Sequence, residues 1–232
     1  MNNQIIIALD LPDADTANQF VAQLSPTECR LKVGPVLFTR YGPALLAPWI
    51  AAGFSVFLDL KFHDIPQTVA SACRVAAQLG VWMVNVHASG GVPMLCAARE
   101  AIDAVTNAKT LLLGVTALTS LDAADIVAVG VNDPVETWVL RLAGLCATAG
   151  LDGVVSSARE LPALRAAHPT PFVLLTPGIR LPGDQSHDQK RTLTPGEARR
   201  LGADYIVVGR PITESADPLG ALVRIQQDFA DG

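Results

Sequence analysis

Four segments of the chain repeat one pattern: the end of a helix, a glycine, then a short apolar strand. They are Ala51-Ala52-Gly53-Phe54-Ser55-Val56, Gln78-Leu79-Gly80-Val81-Trp82-Met83, Thr148-Ala149-Gly150-Leu151-Asp152-Gly153-Val154 and Arg200-Leu201-Gly202-Ala203-Asp204-Tyr205-Ile206. Glycine takes the left-handed conformation cheaply, so each reads as a helix C-cap leading straight into a strand. Gly53 and Gly80 are 27 residues apart, and Gly150 and Gly202 are 52 apart, close to two such periods. Eight units of about 29 residues would use the whole chain. The apolar runs place eight strands at residues 4–9, 29–34, 54–61, 81–87, 110–116, 152–156, 172–176 and 204–209, with helical stretches such as Thr68–Leu79 and Val135–Ala149 between them. Repeated alternation of strand and helix predicts a parallel sheet, and eight repeats predict an α/β fold closed into a single (β/α)8 TIM barrel occupying residues 1–232 as one domain. A doubly wound open sheet is the alternative, although the chain has no GxGxxG or GxxxxGK[ST] run to support a dinucleotide or P-loop site.

Composition narrows the class. Half of the 232 residues are hydrophobic and only 17% are charged, and the mean hydropathy is +0.35, which suits strands covered on both faces and argues against disorder. A net charge of -5 without a long basic stretch argues against a nucleic-acid or anionic-membrane binder, so any bound anion must be met locally. Ile5-Ile6-Ile7-Ala8-Leu9 is too short for a signal segment and ends in Asp10, and the expectation is a cytoplasmic chain. Cys29, Cys73, Cys96 and Cys146 are widely spaced and form no metal-like group with His63, His87, His168 or His187, which predicts four buried free thiols.

The charges fall at particular places in this pattern. In Phe57-Leu58-Asp59-Leu60-Lys61-Phe62-His63-Asp64, side-chain alternation puts Phe57, Asp59 and Lys61 on one face of a strand. A carboxylate and an ammonium then point the same way at the end of a buried element, either as a structural ion pair or as a site with a strong local field. Asp10 follows the first strand, Arg30 and Lys32 alternate with Leu31 and Val33 in the second, and Asn85 and His87 alternate with Trp82, Val84 and Val86 in the fourth. This register sends the charges to one mouth, and the C-terminal mouth is the catalytic face of a barrel. His87 reads equally as a structural histidine. The seventh strand leads into Thr176-Pro177-Gly178-Ile179-Arg180 and a polar stretch from Leu181 to Arg191 that reads as a lid, and the eighth ends Val207-Val208-Gly209-Arg210. Loops after strands 7 and 8 often hold phosphate, and Gly178, Arg180, Gly209 and Arg210 suit that task. Ser89-Gly90-Gly91 is a weaker phosphate candidate and reads first as a turn.

Taken together, these residues resemble the bacterial-type orotidine 5'-monophosphate decarboxylases over nearly the whole chain. The resemblance rests on Ala8-Leu9-Asp10, Leu31-Lys32-Val33-Gly34, Asp59-Leu60-Lys61-Phe62-His63-Asp64-Ile65-Pro66, Val84-Asn85-Val86-His87-Ala88, Leu118-Thr119-Ser120, Thr176-Pro177-Gly178-Ile179-Arg180, Asp188-Gln189 and Val208-Gly209-Arg210. The DxKxxD core is shared with sugar-phosphate decarboxylases and aldolases on similar barrels; Arg180 together with Gln189 sharpens the match. Gln67 departs from the family's usual Asn before Thr68.

The resemblance implies a homodimeric enzyme that converts orotidine 5'-monophosphate to UMP and carbon dioxide, the last step of de novo pyrimidine synthesis, with no metal or organic cofactor. Lys61 is then the proton donor to C6, within a network of Lys32, Asp59, Lys61 and Asp64. Asp59 lies beside the departing carboxylate, Lys32 also touches the ribose, and Asp10 binds its hydroxyls. Thr119 or Ser120, with Gln189, meets the base, and Arg180, Gly209 and Arg210 meet the phosphate. Asp64, Ile65 and Thr68 are expected to reach the partner subunit's site. Two other readings remain: a magnesium-dependent sugar-phosphate decarboxylase or hexulose-phosphate synthase, and a nucleotide-binding module that has lost catalysis.

Overall fold

Eight short parallel strands close on themselves in the computed structural model, which describes residues 3–180 and 193–232. They are β1 (Ile5–Ala8), β2 (Arg30–Val33), β3 (Val56–Phe62), β4 (Met83–His87), β5 (Leu111–Val115), β6 (Gly153–Val155), β7 (Val173–Thr176) and β8 (Tyr205–Val208). β1 pairs with β2 on one side and with β8 on the other. That closure makes the fold a (β/α)8 TIM barrel and removes the open-sheet alternative. The cap glycines behave as their positions predict: Gly53, Gly80, Gly150 and Gly202 all have positive φ. Among the described residues, no helix is long and apolar enough to cross a membrane.

Alternation along the strands divides the core in two. Ile6, Phe57, Met83, Leu113, Leu175 and Val207 point inward and fill the barrel. Their neighbours Ile7, Leu31, Leu58, Val84, Leu112 and Leu174 point outward and pack under the helices. Arg30 departs from the expected common mouth. It starts β2, so its side chain sits at the opposite, N-terminal end, 4.0 Å over Trp82 and 5.3 Å from the Tyr205 ring, with Nε donating to the Asn3 carbonyl at 2.7 Å. Trp82 precedes the first residue of β4 and therefore escapes the alternation that would turn it outward; it joins Tyr205 against the inner cluster.

Two ion pairs brace the N-terminal end with one design. Asp152, just before β6, accepts the Leu112 amide of β5 at 2.7 Å and Arg99 Nη1 at 2.7 Å. Asp204, just before β8, accepts the Leu174 amide of β7 at 2.8 Å and Arg165 Nη2 at 2.6 Å. Each aspartate stands two residues after a cap glycine, so the helix exit, strand entry and neighbouring strand are tied at one point. All four cysteines are free, but Cys96 is only partly buried, unlike Cys29, Cys73 and Cys146. Burial pushes the thiols of those three up to about 12, which keeps them protonated and inert.

The helix Val135–Thr148 lies so close to β5 that a Cβ on Gly114 would overlap the Cys146 sulfur. Gly114→Ala is expected to destabilise the chain by roughly 1–3 kcal/mol, the usual cost of overpacking, and Cys146→Ala in the same chain should recover part of the loss. Urea unfolding of both variants checks this; full stability of Gly114→Ala alone would contradict it.

Candidate active site

At the C-terminal end the barrel opens into a cavity of about 730 Å³ whose floor is apolar, formed by Phe57, Val155, Leu175 and Val207. The charged residues begin one step above this floor. Asp10 follows β1, Lys32 comes from β2, and Asp59 and Lys61 come from β3. All four line the cavity, as do Thr119 beyond β5, Gly178 and Arg180 beyond β7, and Gly209 and Arg210 beyond β8.

The four charges form a continuous chain of alternating sign. Lys32 Nζ stands 3.2 Å from Asp10 Oδ1 and 3.3 Å from Asp59 Oδ2, and Lys61 Nζ stands 2.7 Å from Asp59 Oδ1. Exposure grades the links: the Asp10 side chain is 68% exposed, whereas Lys32 and Asp59 are 10% and 11%. The Asp10 contact is therefore screened by water, and the Lys32–Asp59 contact is not. Burial opposes ionisation of Asp59, but the flanking ammonium groups of Lys32 and Lys61 outweigh it, helped by hydrogen bonds from Lys61 and Asn85. Its carboxyl is held below the usual range.

Asn85 completes the arrangement from β4. It is fully buried; its Nδ2 donates to Asp59 Oδ1 at 2.8 Å and its Oδ1 accepts the Lys61 backbone amide at 2.8 Å. An inward amide is legible in the run Val84-Asn85-Val86, but its double engagement is not. His87, two residues further, does not line the cavity. Its ring centroid lies 5.3 Å from that of His63.

Two guanidinium groups also line the cavity among the described residues. Arg180 is buried, with Nη1 donating to the Ile179 carbonyl at 2.8 Å. Arg210 stands next to Gly209, and Thr213 and Glu214 join the wall beside them. Neither of those last two residues is signalled by periodicity or motif. The result is one cavity lined by two chemically distinct sets, an alternating ammonium and carboxylate array and a guanidinium pair.

Several anticipated residues stand elsewhere. Asp64 is exposed and turned back on its own backbone, accepting the Ile65 amide at 2.6 Å. Ile65 is 67% exposed, Thr68 is exposed, and none of the three lines this chain's cavity, so the charged array within one chain ends at Lys61. Ser120 is exposed and does not line it, while Thr119 does. Ala88–Gly90 forms a short 3-10 turn into the helix Gly91–Asp103 and does not line the cavity. Gln189 and the polar stretch from Leu181 to Arg191 lie outside the described residues. No group of three or more His, Cys, Asp or Glu residues arranged to hold a metal occurs among the described residues.

Comparison with known proteins finds relatives along nearly the full length of the chain. The model of the orotidine 5'-phosphate decarboxylase / HUMPS family matches residues 3–225. The orotidine 5'-phosphate decarboxylase of Chromobacterium violaceum is 54% identical over 226 residues, covering 97% of this chain and 91% of its own. That of Nitrosomonas europaea is 55% identical over 227 residues, covering 98% and 97%. Among solved structures, the orotidine 5'-phosphate decarboxylase of Lactobacillus acidophilus superposes with a TM-score of 0.87 at 34% identity, covering 98% of this chain and 99% of its own.

The surroundings of His87 predict a pH effect. Burial holds its imidazole below the ordinary value, the His63 ring and the Lys61 ammonium add to this, and Asp59 opposes it. The folded chain thus binds this proton less readily than the unfolded chain. Below about pH 6.5 the unfolded state protonates first, so folding stability falls until pH reaches the depressed folded value. His87→Asn should flatten that limb of the stability curve measured by urea unfolding from pH 7 to 5; equal slopes for both chains would contradict the assignment.

Proposed function

The chain belongs to the orotidine 5'-phosphate decarboxylase / HUMPS family, and from that premise we propose that it converts orotidine 5'-monophosphate to UMP and carbon dioxide, closing de novo pyrimidine synthesis. The observation that carries this reading is the pairing of a buried carboxylate, Asp59, with two ammonium groups in the same cavity as two guanidinium groups. The guanidinium pair suits a phosphate and the array suits the reacting ring carbon.

In this reading the C6–carboxylate bond breaks, carbon dioxide leaves, and the electron pair stays on C6. No adjacent ring carbonyl accepts the charge as an enolate would, so the barrier is high. The Lys61 ammonium interacts more strongly as charge localises on C6, which stabilises the transition state more than the ground state. Its proton then passes to C6, forming the C6–H bond of UMP, and water returns a proton to the amine. Asp59 supplies the counter-charge for Lys61 at 2.7 Å and lies beside the departing carboxylate. Lys32 links Asp59 to Asp10, which supports ribose contacts for both. Thr119 contributes the base contact within the described residues, with Gln189 beyond them. Arg180, Gly209 and Arg210 receive the phosphate, and this remote grip contributes binding energy to organising the charged array.

We read residues 1–232 as one barrel domain and the active species as a cytoplasmic homodimer. Asp64, Ile65 and Thr68 directly follow the Lys61 strand, yet are exposed and turned away from their own cavity. That disposition supports their reaching a second copy's site, where Asp64 would extend the array. The chemistry assigned to Lys61 calls for neither metal nor organic cofactor.

Absorbance of orotidine 5'-monophosphate in the presence of EDTA tests the reaction. The parent chain should consume the substrate and release UMP, and Lys61→Ala should not. Activity lost with EDTA and restored by magnesium would move the assignment to a metal-dependent sugar-phosphate decarboxylase or synthase, and UMP binding without turnover would indicate a binding module. Arg210→Ala should lower kcat/KM by about 30-fold, on the order of 2 kcal/mol for a lost charge-assisted contact. Unchanged kinetics would remove Arg210 from the phosphate site.

A further inference from the structure

The end of β3 departs from a regular strand at the residues that carry the chemistry. Leu58 is in register with Val84 and Phe62 with Val86, so four steps along β3 span two along β4. Within this bulge Lys61 has φ of +50°, one of two non-glycine residues with positive φ among the described residues. A lysine gains nothing locally from that conformation, so its surroundings must hold it there. The bulge also takes the Lys61 amide out of the regular ladder and leaves it in need of an acceptor.

Asn85 supplies that acceptor and does a second task with the same amide group. Its Oδ1 takes the Lys61 N–H at 2.8 Å while its Nδ2 donates at 2.8 Å to Asp59 Oδ1, the oxygen that also receives Lys61 Nζ at 2.7 Å. One fully buried side chain therefore fixes both the backbone that carries the ammonium and the carboxylate that pairs with it. Leucine has similar bulk and neither hydrogen bond. Aspartate would keep the acceptor but face Asp59 with a second carboxylate. An amide serves both partners without adding charge.

We propose that Asn85 is a positioning residue of this enzyme, the clamp that sets the left-handed bulge at Lys61 and so aims its ammonium at Asp59 and the reacting carbon. The proposal rests on the reading of Lys61 as proton donor. Asn85 touches neither the guanidinium pair nor Asp10, so its effect belongs to the chemical step rather than to substrate capture.

Asn85→Leu and Asn85→Asp test this, with folding checked by circular dichroism. Asn85→Leu should lower kcat about 100-fold, as small misplacements of reacting groups do, while KM changes by less than about threefold. In Asn85→Asp the new carboxyl faces Asp59 and Lys61 on β3, Lys32 through Asp59, and His87 and His63 beyond; its register partner on β5, Leu113, carries no charge. It must hold a proton to donate to Asp59, so its pH–kcat profile should move to the acid side of the parent's, a shift that a purely structural role would not cause. Amide hydrogen exchange gives a readout independent of turnover: the Lys61 N–H should be protected in the parent and exchange at least about tenfold faster in Asn85→Leu. If Asn85→Leu does not fold, the pH profile of Asn85→Asp decides. A kcat within threefold of the parent for the folded variants, with an unmoved pH profile or unchanged Lys61 exchange, would overturn the proposal. A parent chain inert toward orotidine 5'-monophosphate would instead overturn the proposed reaction, and is distinguishable because the exchange difference at Lys61 would persist.

Discussion

A single carboxylate held between two ammonium groups sets the terms for the rest of this barrel. Asp59 is buried, and a buried carboxylate left alone would cost several kcal/mol even after the protein relaxes around it. Lys32 on one oxygen and Lys61 on the other make the burial tolerable, and the amide of Asn85 completes the set. These groups come from three neighbouring strands, so the arrangement exists only when β2, β3 and β4 are in the right register. A one-residue slip would turn Lys32 toward the helices and bring Leu31 or Val33 into the mouth. The register pairing Ala8 with Lys32 and Lys32 with Phe57 is thus as much a condition of the site as the charges themselves.

The two ends of the barrel divide the work. At the N-terminal end, Asp152 with Arg99 and Asp204 with Arg165 tie strand entries to their neighbours and leave no charged group reaching the cavity. At the C-terminal end the charges face an open space and pair mainly with one another. The charges that tie strands together and the charges that face the cavity are therefore different residues, as is usual in this architecture. There is a second division around the circumference. Strands β1 to β3 bring the alternating array, while the loops after β7 and β8 bring the guanidinium groups, so one cavity presents two different chemistries.

Much of this is legible in the amino-acid sequence because two simple periods govern it. Helix-capping glycines marked the strand entries, and period-two alternation put Lys32, Asp59 and Asn85 inside while Leu31, Leu58 and Val84 faced out. Alternation alone was silent where geometry departs from the ideal strand. It could not reveal the bulge at Lys61, because an inward Lys61 is also what an unbroken strand would give. It placed Arg30 correctly on the inner face but not at the correct end, since a face carries no information about height along the barrel axis. Asp152 and Asp204 followed glycines in plain view, yet their value lies in a neighbouring strand's amide that no local pattern exposes. Asp64 belongs to the same short motif as Lys61 and still ends outside the cavity, because the chain turns between them.

The plug of Arg30 under Trp82 and Tyr205 has a consequence for traffic. With that stack beneath it and Phe57, Leu175 and Val207 packed above, the barrel axis is blocked below the charged mouth. The molecule is a flask rather than a tube. For the proposed reaction, the reactant, the carbon dioxide and the water that would restore the proton would share this one neck among the described residues, and their order of passage through it would be part of the cycle.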